Sequence, residues 1–265
     1  CYTRQNLRSG TVMHHSNLPY RYWFAAMYLI TATKNAFSSA EIQRQLGHKR
    51  YQPIWEMVNK IRDVMGKRDS LYKLDGEMEL DDAFFTTEIP IELKNEPLKR
   101  GRGSQKKTKV LVIAESKTVE NPKDGMKPKK VGHLKMTVIG DLKADTIADN
   151  IKEQVEQTAE ITSDESTSYT KLKEHVNSHQ ASVVAPEELA KVLPWVHTAI
   201  SNAKRQLLGV YYKVKSEYLQ YYLNQFCYKF NRRYFGENQF DRLLIAAVSY
   251  SPDFKSRIYN RNNCG

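Results

Sequence analysis

An α/β fold is what this 265-residue sequence predicts, and three observations predict it. An N-terminal stretch of helical periodicity gives way near Leu71 to strand-like alternation. Three strand-like runs are then followed by a helical run and a further strand. The last third returns to helical spacing. That order is the one found in an RNase H-like mixed sheet with flanking helices, though other mixed α/β folds share it, and it is preceded here by a small all-helical, helix-turn-helix-like segment. The expected boundaries are 1–70 for the helical segment, 71–250 for the sheet domain and 251–265 for a C-terminal tail.

Each element has its own signal. The run from Tyr20 to Lys34 is apolar on most faces and predicts a buried helix. Ser38 or Ser39 caps the run AEIQRQL, and Gly47 is placed to end it. From Tyr51, Ile54, Met57, Val58, Ile61 and Val64 or Met65 recur at helical spacing, with Pro53 in the first turn. Two helices across a tight turn, the second bearing Lys60 and Arg62, form a helix-turn-helix pattern; a plain three-helix bundle has the same outline. Leu74–Phe85, Lys109–Ala114 and Leu134–Ile139 alternate as strands. Asp141 or Asp145 opens a helix through Ile147, Ile151 and Val155. Ala159–Thr162 reads as a short strand ending at Asp164, and Val192 to about Phe235 reads as helical.

Composition narrows the classes. Hydrophobic residues make up 40%, with 12 Gly and 9 Pro, which excludes a disordered or fibrous chain. No apolar run approaches the roughly 18–20 residues that cross a bilayer, so no membrane partner is expected. Cys1, Cys227 and Cys264 make neither a disulfide framework nor a complete zinc site, which points to a reducing, cytoplasmic setting. The chain opens at Cys1 with no initiator Met, and we expect a fragment of something longer. The net charge is +11, which favours a polyanionic partner. Both ends are strongly basic, whereas residues 71–190 carry more Asp and Glu than Lys and Arg. Basic flanks around a carboxylate-rich centre suit a nucleic-acid enzyme that holds metal ions.

The basic residues of the middle fall in two loops. Leu98–Lys109 carries Lys99, Arg100, Arg102, Lys106 and Lys107 with no acidic residue, and Lys117–Lys130 is similarly Lys-rich. Both lie between predicted strands, on one edge of the sheet, and DNA phosphates are the expected contact; a solvated charged loop is the plainer alternative.

Two aspartates are candidates for metal chemistry, and capping of strand-to-loop junctions is the plainer reading of an Asp in such a place. A pleated strand sends Asp81 and Asp82 to opposite faces, so Asp81 shares its face with Glu79 and Ala83. Asp164 closes the later strand. Carboxylates at adjacent strand ends can hold two Mg²⁺ ions, one to activate the attacking oxygen and one to stabilise the leaving oxygen. On the following helix His197, Ser201 and Lys204 share one face, which would turn His197 to the metals and Lys204 to a phosphate; a His merely packed or solvated beside Trp195 is the plainer alternative. Asn202 lies about 140° round the helix from His197.

The stretches RSGTVMHHSNLPYRYWFAAMYLI, SSAEIQRQLG, YQPIWEMVNKIRDVM, GEMELDDAFF, TSDESTSY and VHTAISNAKRQLLGVYYKVKSEYLQYYLNQFCYKFNRR follow one another in this order. Together they resemble the DDE-type transposases of bacterial insertion sequences, in particular the group with an N-terminal zinc ribbon, a small helix-turn-helix and an RNase H-like catalytic domain. The resemblance covers nearly the whole chain and makes Cys1 the remnant of a ribbon that is otherwise missing.

It implies that the first catalytic Asp is Asp81, the second Asp164, and the third position His197, seven residues ahead of Lys204. There is no Glu at this third position, and Asp82 stands where the family commonly has Glu after the first Asp. His suits Mn²⁺ better than Mg²⁺, and Asn202 is the alternative third ligand. The resemblance further implies two divalent metal ions, Mg or Mn, cleavage at transposon ends with transfer of the 3′-hydroxyl into target DNA, a double-stranded DNA partner and a homo-oligomer. Against it stand a non-enzymatic helix-turn-helix regulator and an RNase H-like nuclease or resolvase.

Overall fold

The computed structural model describes residues 6–122, 128–182 and 192–254. Cys1, Cys264, the Arg102 side chain, the centre of the second basic loop and the tail beyond residue 254 lie outside them. The chain forms two compact units. One runs through Leu71 and takes up again from Arg232, and the other is Tyr72–Asn231.

The helical unit is built from α1 (Tyr20–Ala32), α2 (Ser39–Leu46), α3 (Tyr51–Asp69) and α7 (Asn238–Ser249). The Ser38 side chain accepts the Glu41 amide, and Gly47 ends α2 in the left-handed region at φ 63°, where a side chain would be strained. The helical spacing in α3 buries Ile54, Met57, Val58, Ile61, Val64 and Met65. Arg62 is also fully buried and donates from Nη1 to Asn59 Oδ1 at 3.0 Å. Of the two α3 cations, then, Arg62 lies within the core, and Lys60 is partly buried against the His14 carbonyl. α7 packs on α1 and α3 through Leu243, Ala246 and Ala247. The helical reading that stops near Phe235 misses this element, whose short apolar stripe is broken by polar residues.

The second unit holds a five-stranded sheet in the order β3-β2-β1-β4-β5. Its strands are β1 (Glu77–Thr86), β2 (Lys107–Thr118), β3 (Lys129–Ile139), β4 (Glu160–Asp164) and β5 (Ser178–Ser182). β1, β2 and β3 pair antiparallel, while β4 lies parallel to β1 and to β5. Helix α4 (Ala144–Gln154) follows β3, and α5 (Pro194–Gln206) and α6 (Leu219–Asn231) follow the sheet. One face packs Ala83, Phe85, Val110, Val112 and Leu134 against α5 and α6. The other packs Leu80, Leu111, Ile113 and Ile161 against α4, Tyr169 and Leu172. Alternation along β1 feeds both cores, as a pleated strand between two helical layers requires.

Several expectations are corrected. β1 begins at Glu77, after a turn in which Gly76 adopts φ 81°. The N-cap of α4 is Lys143; Asp141 instead accepts the Lys143 amide and the Thr146 hydroxyl, and Asp145 lies inside the first turn. Lys107, Lys109, Lys117, Lys129 and Lys130 belong to strands. The two basic connections lie at opposite ends of the strands, because β1, β2 and β3 form an antiparallel meander. β5 has no apolar pattern to reveal it, being an edge strand of polar residues. No helix among the described residues is long and apolar enough to cross a membrane.

Candidate active site

The parallel β1–β4 ladder ends at the pair Leu80↔Ser163. Asp81 and Asp164 are each the next residue where the strands part, near enough that the Asp164 charge acts on the Asp81 carboxyl. β1 then continues along β2, with Asp81 opposite Val112. Asp81 faces α5, as do Ala83 and Phe85, and Asp82 faces the opposite layer, where Tyr169 donates to its Oδ1 at 3.4 Å.

Helix α5 runs along this face of β1. His197 Nε2 lies 3.8 Å from Asp81 Oδ2, and Lys204 Nζ lies 5.6 Å from the centre of the Phe85 ring. The seven-residue spacing brings both side chains back to one face. Asn202 lies elsewhere on the helix, its Oδ1 accepting from Arg205 at 2.6 Å. The structure therefore brings Asp81, Asp164, His197 and Lys204 together and leaves Asn202 on the helix surface.

The electrostatics are those of crowded, half-desolvated groups. Burial pushes the Asp81 carboxyl up to about 7, and the charges of Asp82 and Asp164 push in the same direction. The Asp82 amide, which donates to Asp81 Oδ1 at 2.8 Å, opposes them. Burial also raises the Tyr169 hydroxyl, with Asp82, Asp81 and Asp164 adding to it. Burial lowers His197 against the pull of Asp164, and lowers Lys204 with help from the neighbouring Lys107.

Two buried atoms, Asp164 Oδ1 and His197 Nε2, have no hydrogen-bond partner among the described residues. Buried polar atoms are seldom left so, and both belong to groups that ligate divalent cations. Among the described residues no group of three His, Cys, Asp or Glu side chains is placed to hold a metal ion. Mg²⁺ does not need such a group, since it is commonly held by one or two carboxylates with substrate phosphates and water completing the shell. Asp164 Oδ1 and His197 Nε2 are thus donors that could serve a divalent ion whose shell other ligands complete.

The basic residues sort by position. Lys107, at the start of β2, is near enough to Lys204 to affect its charge. Lys99, Arg100 and Lys106 are exposed in the connection that follows β1. That connection leaves the same end of the sheet at which β4 delivers Asp164, since β1 and β4 are parallel. Gln105 braces it, accepting the Lys99 amide and donating to the Pro97 carbonyl.

Three contributors escape sequence reasoning. Glu79 Oε2 accepts the amides of Trp195 and Val196 at 2.7 and 2.9 Å. Tyr169 closes the far side of Asp82. Ser163, fully buried, hydrogen-bonds His179 Nε2 and donates to the Asp164 carbonyl, both at 2.8 Å, bracing the strand end. Only Glu79 left a trace in the sequence, two residues before Asp81 and hence on its strand face.

A mixed sheet in this order, with two aspartates at the seam of its parallel strands, is an RNase H-like fold. The model of the ISXO2-like transposase domain matches residues 73–231, and the chain belongs to that DDE-type transposase family. Among solved structures, that of a pre-cleavage Mos1 transpososome aligns over 91% of this chain and 82% of that chain, at 11% identity and a TM-score of 0.31. No curated protein matches the chain.

Proposed function

We propose that the Tyr72–Asn231 unit cleaves DNA at transposon ends in a metal-dependent reaction and transfers the freed 3′-hydroxyl to target DNA. The observation that carries this reading is the convergence of Asp81, Asp164 and His197 at one strand seam, with two of their polar atoms buried and unpartnered. A non-enzymatic regulator has no need of that convergence.

In this reading Asp81 and Asp164 hold two Mg²⁺ or Mn²⁺ ions together with DNA phosphates, and His197 completes the site. The ions, when bound, activate the attacking oxygen and stabilise the leaving one. The residues supply position and charge. Neutral His197 offers the Nε2 lone pair toward the gap beside Asp81. Lys204 and Lys107 neutralise the scissile phosphate and its neighbour, and Lys99, Arg100 and Lys106 follow the backbone beyond. Residues 73–231 would thus form the catalytic domain, and the helical unit would bind the DNA ends. Its candidate contacts are the exposed Lys49 and Arg50 at the α2–α3 turn rather than Arg62. Joining two ends calls for at least two copies of the chain.

The test is nicking of a supercoiled plasmid carrying the element's ends, with Mg²⁺, with Mn²⁺ and with a chelator. Metal-dependent nicks leaving 3′-hydroxyls at the element boundary are expected, and they should vanish in Asp81→Asn. Cleavage that survives the chelator or that substitution would overturn the reading.

A further inference from the structure

The first turn of α5 has no cap of its own. Its N-cap residue, Leu193, is an apolar core side chain without an acceptor, and Pro194 at the first position has no N–H. The first amides needing a partner are therefore those of Trp195 and Val196, the positions that an N-cap Ser, Thr, Asp or Asn ordinarily satisfies. Both go to one oxygen of Glu79, at 2.7 and 2.9 Å, on a strand more than a hundred residues away in sequence. Glu79 is 6% exposed, and a carboxylate that deep needs hydrogen bonds and the positive end of a helix to offset its lost hydration.

The placement links the cap to the chemistry. Glu79, Asp81, Ala83 and Phe85 are alternate residues of one strand face. Along it α5 makes three contacts in order: Trp195 and Val196 at Glu79, His197 at Asp81, and Lys204 over Phe85. The underside of α5, Val196, Ala199, Ile200 and Ala203, packs on the sheet. That packing sets which face of α5 meets the sheet. A slip along the axis by one residue's rise, about 1.5 Å, would carry His197 past Asp81 while keeping the same face on the sheet. The carboxylate at the helix end is the stop against that slip.

We infer that Glu79 is the positioning residue of the site: its carboxylate sets the axial register of α5, and through it the places of His197 and Lys204 relative to Asp81. The inference rests on the reading of Asp81, Asp164 and His197 as the catalytic site.

The test compares two conservative variants of the full chain. Glu79→Gln keeps the side-chain length and an acceptor oxygen for the two amides, which share a single oxygen. Glu79→Asp keeps the charge but is one methylene shorter. Register control predicts that length outweighs charge. Glu79→Gln should cleave within about fivefold of wild type, and Glu79→Asp should fall about 100-fold, the scale of an ångström-sized misplacement. DNA affinity should stay within about threefold in both. Glu79→Asp should also shift the His197 ring resonances and speed hydrogen exchange at Trp195 and Val196, and Glu79→Gln should do neither strongly.

Glu79→Asp cleaving as well as or better than Glu79→Gln would overturn the inference, since that is the mark of a charge that merely stabilises the helix end. If the wild-type chain does not cleave DNA, the active-site reading falls and the His197 resonances and amide exchange decide alone. Their response to Glu79→Asp supports the register role, and unchanged spectra overturn it.

Discussion

His197 Nε2 stands 3.8 Å from Asp81 Oδ2, across the seam between helix α5 and strand β1. The distance is too long for a hydrogen bond, and the nitrogen has no other such partner among the described residues. Asn202 instead accepts from Arg205. His197→Ala should therefore lower metal-dependent cleavage about 10- to 100-fold, the usual cost of disturbing a metal's surroundings, whereas Asn202→Ala should stay within about threefold. Single-turnover cleavage rates check this, and the opposite ranking would move the third ligand to Asn202.

Asp81 carries a conflict between stability and function. Its carboxyl is pushed up to about 7 by burial and by Asp82 and Asp164, above the ordinary value near 3.9 of an unfolded chain. The fold thus favours the protonated form. The associated stability is fully present below the unfolded value and is lost as pH rises through about 7. At pH 8 without metal, Asp81→Asn should raise stability by about 1–3 kcal/mol, visible as a melting-temperature rise of a few degrees, while abolishing cleavage. Added Mn²⁺ should raise the melting temperature of the wild type by mass action and that of the variant far less.

A second buried carboxylate, on β2 opposite Met78, behaves in the opposite way. Burial alone would raise the Glu115 carboxyl. The His133 side chain and amide and the Lys117 ammonium outweigh it and hold the group at about 2. Its stabilisation is present above about 4.5 and is lost as pH falls toward 2, amounting to about 2–3 kcal/mol. Acid unfolding of Glu115→Gln should show a correspondingly shallower pH dependence.

Gly132 lies beneath that carboxylate, and a Cβ there would stand 2.5 Å from Glu115 Oε2. Gly132→Ala should cost about 1–3 kcal/mol by forcing the side chain off its partners. Chemical denaturation measures it.

The charge at the two ends of the sheet should separate by salt dependence. Replacing Lys99, Arg100, Lys106 and Lys107 by Ala should flatten the slope of log affinity against log salt by about 0.9 for each phosphate contact removed. Replacing Lys129 and Lys130, at the opposite end of β1, should leave the slope unchanged.

How much of this is written in the sequence depends on what each residue must satisfy locally. The α2 cap and stop, the apolar spacing of α3 and the alternation along β1 are short-range patterns, and the structure follows them closely. The closeness of Asp81 and Asp164 needed the sheet order as well, because only parallel pairing of β1 with β4 makes neighbours of residues so far apart. The edge strand Ser178–Ser182 left no pattern, and Glu79 left only its place on the Asp81 strand face, with no sign of its capping role. The first buries too little to show a period, and the second satisfies a helix end from a strand remote in sequence. The basic connections were legible as composition but not as position, since charge counts do not say which end of a strand a loop leaves.

The central claim is that Asp81 and Asp164 hold a divalent cation between them. Crystals of the chain with a short duplex, soaked in Mn²⁺ and measured at the manganese edge, test it most directly. An anomalous peak is expected within about 2.0–2.6 Å of a carboxylate oxygen of each aspartate, lost in Asp164→Asn. Manganese bound elsewhere, with the Asp81–Asp164 seam empty at saturating metal, would contradict it.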